Sequence, residues 1–254
     1  MAILDQFKLD GKVAIVTGAG RGLGQGIAFG LAEAGADIAA VDVVEQSETK
    51  AGVEQRGRRC AAIQADLSKS GCVPQIVEAT LAAFGHIDIL FNNAGIIRRA
   101  PLTEFSEKDW DDVININLRT LFFLSQAVAK VMIKQGKGGK IINTASMLSF
   151  QGGIRVPSYT ASKSAVMGLT RLMGNELAPY GINVNAIAPG YMATDNTKAL
   201  RADEKRNADI VARIPAARWG LPTDLQGAAV FLASAASDYV QAYTIAVDGG
   251  WLAR

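Results

Sequence analysis

Short runs of apolar, often β-branched residues alternate with longer amphipathic stretches along this chain. Each run predicts a buried strand, and strands are expected at residues 12–17, 37–43, 59–65, 87–91, 140–143, 183–187 and 243–247. Helical stretches fall between them, the first at 25–34 and closed by Gly35. Strands that alternate with helices form parallel sheets covered on both faces. The pattern therefore predicts one doubly wound α/β domain across residues 1–254.

A glycine-rich turn follows the first predicted strand. It reads TGxxxGxG from Thr17, whereas the strict GxGxxG dinucleotide fingerprint fits in no frame. Glycines let the backbone approach a pyrophosphate closely, and the next helix offers free N–H groups at its start. The turn predicts a diphosphate site, although glycines there would also serve close packing of strand on helix. The residues expected at this site are Gly18, Gly20, Arg21, Gly22, Leu23 and Gly24.

Asp42 ends the second predicted strand, about 20 residues after the turn, where an acid can accept hydrogen bonds from an adenosine ribose. Its charge would repel a 2′-phosphate and so favours NAD. Arg21 could reach such a phosphate and partly offset the repulsion. The two opposed charges predict NAD as the preferred cofactor and leave NADP possible.

Charge and composition exclude several classes of partner. The 26 basic and 24 acidic residues are nearly balanced, and no run of like charge marks a nucleic-acid or anionic-membrane surface. No apolar stretch is long enough for a signal peptide or a bilayer span, so a cytoplasmic protein is expected. Cys60 and Cys72 lack the spacing of a zinc site or a disulfide framework, and no metal is predicted. His86 is the only histidine and precedes a strand, which argues against Ser-His-acid hydrolysis.

Tyr159 and Lys163 are four residues apart in a segment of helical periodicity, so both side chains project from one face. A phenol with a pKa of about 10 is a poor base, and a neighbouring cation would bring that pKa toward neutrality. Ser146, which follows the predicted strand 140–143, could hold the same substrate oxygen. A tyrosine and a lysine at this spacing also occur by chance in many helices, so the pair needs support from the rest of the chain.

That support is a resemblance to the short-chain dehydrogenases/reductases, which covers nearly the whole chain and implies a Rossmann-like fold. The matching features are the TGxxxGxG turn, Asp66, the segment Asn92-Asn93-Ala94-Gly95, Asn117, Ser146, the YxxxK pair Tyr159 and Lys163, and Pro189-Gly190.

The resemblance implies a role for each matching residue. Tyr159 would be the general acid/base, Lys163 would lower its pKa and bind the nicotinamide ribose, and Ser146 would orient the substrate oxygen. Asn117 would support a proton relay. The other cofactor contacts would come from Asp66 and Leu67 at the adenine, from Asn93, Ala94 and Gly95 along the channel, and from Pro189, Gly190, Met192 and Thr194 at the carboxamide. Family members are commonly homotetramers, and the small residues Ser162, Ala165 and Gly168 would allow close helix contact or pack within one subunit.

Cations near the expected reaction centre indicate an anionic substrate, because arginine binds carboxylate in a fork. Arg155 lies four residues before Tyr159, and Arg98 and Arg99 follow the NNAG segment. Each could instead be solvated or paired with a nearby acid. The charged run within residues 191–219 resembles a substrate lid, or is only a solvated face.

The stretches around Ser146, Pro189 and the C-terminus resemble one branch of the family, the dehydrogenases of deoxy and keto sugar acids. In that interpretation Ser146, Arg155 and Tyr159 bind the substrate. Relatives that act on gluconate or on carrier-bound 3-oxoacyl groups remain alternatives. So does a dinucleotide-binding sensor or scaffold, because a fold does not establish an activity.

Overall fold

The computed structural model describes residues 2–254; Met1, the first residue of the expected domain, lies outside them. Within that range the strands form one parallel sheet in the order β3-β2-β1-β4-β5-β6-β7. The strands are β1 Val13–Thr17, β2 Asp37–Asp42, β3 Cys60–Gln64, β4 Ile89–Asn92, β5 Gly139–Thr144, β6 Ile182–Pro189 and β7 Thr244–Val247. Every predicted strand is present with its ends displaced by at most two residues, and the predicted doubly wound, Rossmann-like fold is confirmed.

Helices cover both faces of the sheet. They are α1 Gly22–Glu33, α2 Ser47–Gln55, α3 Cys72–Phe84, α4 Glu107–Ile114, α5 Leu121–Gln135, α6 Pro157–Leu177, α7 Lys198–Ala202, α8 Glu204–Arg213 and α9 Gln226–Ala233. The first helix begins at Gly22, earlier than the predicted residue 25. Its N-terminus therefore lies inside the glycine-rich turn.

The sheet has a separate apolar core on each face, because successive side chains of a strand point to opposite sides. Ala14 and Val16 of β1 pack with α1 and α9, whereas Ile15 packs with α3 and α5. Strands buried on both faces read as continuous apolar runs, which is why the sequence pattern revealed them.

A π-helical turn, Asn115–Thr120, joins α4 to α5, and the continuous helix spans Glu107–Gln135. Among the described residues this helix is long and apolar enough to cross a membrane by length and composition, although Arg119 and Lys130 interrupt its apolar run. Of its most apolar window 44% is buried. Leu124, Val128 and Met132 belong to the core against the sheet. A core helix of this kind meets the same criterion.

The strand order reverses between β1 and β4, where the chain crosses from one half of the sheet to the other. In open parallel sheets the crevice beyond the carboxyl ends of the strands at such a point binds ligands. Thr17, Asn92 and Thr144 are the last residues of β1, β4 and β5. The topology therefore directs attention to the loops that follow these three strands.

Candidate active site

The glycine-rich turn combines close packing with an open face. A Cβ at Gly24 would lie 2.0 Å from the Gly18 carbonyl oxygen, and one at Gly18 would lie 2.9 Å from Asn93 Nδ2. These two glycines are thus required by packing. Gly22 differs, since it has a φ of +59° and a Cβ there would meet only the Thr194 side chain, at 3.8 Å. The start of α1 is open on that side, as a diphosphate cradle requires.

Asp42 is held rigidly beneath this turn. The Gly20 N–H donates to its Oδ2 at 2.8 Å, and the Val43 N–H donates to its Oδ1 at 2.7 Å. The carboxylate is half-buried at the end of β2. It therefore presents a fixed negative charge beside the turn, which suits the hydroxyls of a ribose and opposes a phosphate. Arg21 extends into solvent and forms an ion pair with Asp195 at 3.3 Å.

The segment Asn92–Gly95 is tied to the glycine-rich turn. The Thr17 hydroxyl accepts the N–H groups of Asn93 and Ala94 at 3.0 and 3.1 Å, and Asn93 Nδ2 donates to the Thr17 carbonyl at 3.0 Å. On the other side of the crevice, the Thr120 hydroxyl donates to the Leu67 carbonyl at 2.8 Å. The structure thus brings the residues expected along the cofactor channel to one edge of the sheet.

Asp66 lies just before Leu67 and accepts the Ser68 N–H at 2.9 Å. Its hydrogen bonds with Ser68 lower the pKa of this carboxyl below its usual value. Asp66 is therefore an acceptor at neutral pH, which fits a group expected beside an adenine.

Ser146, Tyr159 and Lys163 meet because α6 starts where it does. Pro157 occupies the first helical position, where its fixed φ and missing N–H cost nothing, so Tyr159 lies in the first turn and Lys163 one turn later. Ser146 follows β5 and accepts the Leu148 N–H at 3.1 Å. Lys163 Nζ lies 5.7 Å from the centre of the Tyr159 ring. The structure therefore brings the predicted catalytic side chains together.

Burial dominates the electrostatics of this group. It raises the pKa of Tyr159, while a hydrogen bond with Ser146 and the positive charge of Arg99 act in the lowering direction. Burial also lowers the pKa of Lys163 to about 8. The expectation that Lys163 lowers the pKa of Tyr159 stays a prediction. The Lys163 ammonium donates to the Thr144 carbonyl at 2.6 Å.

Asn117 lies in the π-helical turn, a distortion that is frequent at functional sites. Its Oδ1 accepts the Ile96 N–H at 2.8 Å, and its Nδ2 donates to the Ile96 carbonyl at 2.9 Å and to Ser162 Oγ at 3.3 Å. A Cβ at Gly95 would lie 3.7 Å from Lys163 Nζ. Asn117 therefore fixes the loop that passes over Lys163.

The three candidate arginines have different surroundings. Arg98 pairs with Asp109 at 3.4 Å and with Asp112 at 3.8 Å, which agrees with the alternative that this arginine is paired with nearby acids. Arg99 donates to the Asn196 carbonyl at 3.4 Å, and its charge acts on Tyr159.

Arg155 is exposed, with a φ of +66°, and within residues 2–254 its guanidinium has no recorded polar partner. Arg99, rather than the favoured Arg155, is thus the arginine whose charge acts on Tyr159. Its position four residues after the end of the NNAG segment was the available signal.

The region 191–219 packs on an aromatic cluster. Tyr191 contacts Trp219 and Trp251 edge-on, with ring centres 5.4 and 4.8 Å apart. Trp219 Nε1 donates to Asn207 of α8 at 2.7 Å, and Arg213 lies 4.0 Å above the Trp251 ring. The charged run is therefore an amphipathic helix anchored on one side. Trp251, at the far end of the chain, carried no sequence signal for this role.

The donors and acceptors around the turn fit a nicotinamide dinucleotide. An open helix start, a fixed acid for a ribose and a buried ammonium converge on one crevice. Among residues 2–254 no group of three or more His, Cys, Asp or Glu side chains lies close enough to hold a metal ion.

Comparison with known proteins agrees with this geometry. Residues 12–205 match the family model described as short chain dehydrogenase. The chain is 66% identical over 252 residues to the 2-dehydro-3-deoxy-D-gluconate 5-dehydrogenases of Escherichia coli and of Dickeya dadantii, covering 99% of this chain and all of each relative. A crystal structure of a gluconate 5-dehydrogenase from Burkholderia cenocepacia in complex with NADP and tartrate is 42% identical, with a TM-score of 0.94 over 100% of both chains.

Proposed function

This chain belongs to the short-chain dehydrogenase family and is an NAD(P)-dependent oxidoreductase, and from that premise we propose that it interconverts a hydroxyl and a ketone on a deoxy keto sugar acid. The substrate we assign is 2-dehydro-3-deoxy-D-gluconate, which reacts at carbon 5. The observation that supports this choice is identity of 66% along the full length of two enzymes with that name. The geometry agrees, because the positive charge of Arg99, a guanidinium suited to a carboxylate, acts on the proton-exchanging phenol of Tyr159.

The chain's own residues handle the proton and the orientation of the substrate. Tyr159 exchanges a proton with the reacting oxygen, and the Ser146 hydroxyl holds that oxygen within reach. The nicotinamide cofactor, when bound, supplies or accepts the hydride. Lys163, fixed on the Thr144 carbonyl, offers its remaining N–H donors to the cofactor ribose. Asn117 positions the loop over Lys163 and so supports the proton path.

The glycine-rich turn and Asp42 would hold the adenosine half of the cofactor. We propose that both NAD and NADP bind and that NAD is preferred, because the Asp42 carboxylate is fixed beside the turn whereas Arg21 is already paired. The relative from Burkholderia cenocepacia was crystallised with NADP. Kinetics with both cofactors test the order: a higher kcat/KM with NADP would overturn it.

Arg99 is the proposed ligand of the substrate carboxylate. It lies at the mouth of the site, between the tyrosine and the start of the lid. A guanidinium there binds a carboxylate in a fork and also stabilises negative charge on the phenol oxygen. Arg155, whose charge is not among those acting on Tyr159, is left as the weaker candidate.

Oxidation of gluconate at carbon 5 is the second candidate function. It is supported by the likeness to the Burkholderia cenocepacia enzyme, whose whole length this chain covers. Arg99 would serve a gluconate carboxylate equally well. The two candidates differ at carbons 2 and 3 of the substrate, so rates on both acids separate them.

Tyr159→Phe tests the proposed reaction, because it removes the proton donor with little change of shape. We expect kcat to fall at least 100-fold while cofactor binding is retained. For the wild-type enzyme, NMR spectroscopy of the product should show that carbon 5 has changed from a hydroxyl-bearing carbon to a ketone, or the reverse when the ketone is the substrate. Full activity of the variant, or reaction at another carbon, would refute the proposal.

We also propose that the protein acts as a homotetramer. An open depression of about 520 Å³ lies between α5 and α6, lined by Leu118, Arg119, Phe122, Ala165, Gly168, Leu169 and Leu172. A second copy of the chain would cover this apolar surface. Gly168 is exposed there, whereas Ser162 is buried and donates to the Tyr159 carbonyl at 2.8 Å. Of the small residues noted in the sequence, Ser162 thus packs within one subunit.

A cytoplasmic location completes the proposal. Both cysteines, Cys60 and Cys72, are free thiols in the structure, and burial raises the pKa of each. Thiols of this kind are compatible with a reducing compartment.

A further inference from the structure

The predicted lid, residues 191–219, begins directly beside the glycine-rich turn. The Thr194 side chain is the group that a Cβ at Gly22 would meet. Asp195 is the next residue and starts a 3₁₀ turn, Asp195–Thr197. Its carboxylate Oδ2 lies 3.3 Å from Nη1 of Arg21. Turn and lid are therefore joined by one ion pair at the edge of the cofactor crevice.

Arg21 is the cation on the turn, and Asp42 is the acid beneath it. The Asp42 carboxylate accepts hydrogen bonds from the backbone N–H groups of Gly20, Val43 and Val44, at 2.8, 2.7 and 3.3 Å. The recorded ion pair of Arg21 is instead with Asp195. The Asp42 carboxylate is thus not paired with a cation of the turn and remains available to a ribose hydroxyl. The charge of Arg21 is instead neutralised by Asp195.

A 2′-phosphate on the cofactor needs that guanidinium. It carries close to two negative charges and must be brought near Asp42, so a free cation has to offset the repulsion. A carboxylate on Asp195 competes with the phosphate for the same N–H donors. NAD, which has a hydroxyl at that position, needs no such cation.

We propose that Asp195 is a specificity-determining residue, which favours NAD over NADP by holding Arg21 away from the 2′-phosphate. The inference deepens the proposed function and rests on its assignment of a nicotinamide cofactor. Both side chains are about 70% exposed, at 72% for Arg21 and 71% for Asp195. Exposed pairs of this kind are weak, so the effect on relative affinity should be about two- to five-fold.

The test is the dissociation constant of NADP⁺ and of NAD⁺, measured by isothermal titration calorimetry on the full-length protein without substrate. Asp195→Asn should tighten NADP⁺ binding about two- to five-fold and leave NAD⁺ binding unchanged. Asp195→Glu keeps the charge and should retain the wild-type ratio. Asp209→Asn is the matched control, because it removes the same charge from α8 without touching the ion pair; it should alter neither constant.

Arg21→Ala completes a double-mutant cycle with Asp195→Asn. It should weaken NADP⁺ binding, and in that background Asp195→Asn should have no further effect, since the partner is gone. The inference is overturned if Asp195→Asn shifts both cofactors equally or neither, if its effect persists without Arg21, or if Asp209→Asn reproduces it. Failure of the enzyme to turn over any sugar acid would refute the proposed substrate and leave these binding constants interpretable.

Discussion

Lys163 keeps an ammonium group in a place that is almost free of solvent. Its side chain is 3% exposed, its Nζ donates to the Thr144 carbonyl, and burial lowers its pKa from 10.5 to about 8. In the unfolded chain the same group is hydrated and keeps its proton up to about pH 10.4. Between these two pH values the unfolded state therefore binds more protons, so stability rises with pH. Below pH 8 the folded protein bears the full cost of the buried charge.

Lys163→Met should therefore stabilise the protein at pH 7 while it abolishes activity. A pKa lowered to about 8 corresponds to about 3 kcal/mol, of which the lost hydrogen bond to Thr144 cancels about 1–2 kcal/mol. We expect the Tm at pH 7 to rise by about 3–6 °C. The measurement is the Tm of both proteins from pH 7 to 10.5. The difference should shrink as pH rises through 8; a constant difference, or a less stable variant at pH 7, would contradict this explanation.

Arg99 and Arg155 provide a matched pair of substitutions near the same tyrosine. Arg99→Ala should raise KM for a sugar acid about 10- to 100-fold, because a charge-assisted contact with the carboxylate is lost, and should change KM for an uncharged polyol little. Arg155→Ala should change both only slightly, since Arg99, and not Arg155, has a charge that acts on Tyr159 and a contact with the Asn196 carbonyl. Steady-state kinetics with both substrates check this. The reverse order of effects would restore Arg155 as the carboxylate ligand.

At the scale of elements, the turn between β1 and α1 and the loop after β4 are one packed unit. Thr17 hydroxyl and carbonyl groups bind the loop, and Gly18 lies against Asn93. Loss of a glycine here therefore disturbs both segments. The sequence left two alternatives for these eight residues, a diphosphate site and close packing of strand on helix. The packing is present at Gly18 and Gly24, and the open side at Gly22 also suits the proposed diphosphate site.

Gly24→Ala should destabilise the protein by at least about 2–3 kcal/mol, because the new Cβ would lie 2.0 Å from the Gly18 carbonyl oxygen. Gly227→Ala is the control: this exposed glycine of α9 has no atom within 4 Å of the added Cβ, and the change should stabilise by about 0.5–1 kcal/mol. Urea unfolding of the two variants is the check. A Gly24 variant as stable as the wild type would show that the turn can relax.

Elements with a regular period were predictable from the sequence, and so were residues that the structure gathers at the proposed cofactor crevice. The burial of β1 and β4 on both faces forces an apolar run, and a close approach at Gly18 and Gly24 forces glycine. Contacts made across the chain left no local signal. Trp251 packs on Tyr191 although about 60 residues separate them, and the Arg21–Asp195 pair spans a still longer interval. The pKa of Tyr159 likewise depends on burial, which no spacing reveals.

At the scale of the whole molecule, the parallel sheet gathers the ends of distant segments at one edge. Thr17, Asn92 and Thr144 end neighbouring strands there, which places the cofactor turn beside Ser146 and Lys163. The outer helices, in contrast, leave apolar side chains exposed to solvent. The apolar face of α5 and α6 is unpaired in one chain, with Phe123 and Leu172 at 41% and 47% exposed.

Leu172→Glu should disrupt the assembly, because a second copy would have to bury the new charge against apolar residues. Leu4→Glu, at an exposed leucine of the N-terminal 3₁₀ turn, is the control and should leave the mass unchanged. Light scattering after size exclusion gives the mass of each variant. A tetramer that survives Leu172→Glu would show that this face is not an interface.

The most direct test of the whole account is the specificity constant of the purified protein for 2-dehydro-3-deoxy-D-gluconate, set against D-gluconate, 2-deoxy-D-gluconate and an uncharged polyol, with NAD and with NADP. We expect the highest kcat/KM for 2-dehydro-3-deoxy-D-gluconate with NAD and at least a 100-fold lower value for the polyol. A higher kcat/KM for D-gluconate, or equal values for the charged and uncharged substrates, would contradict it.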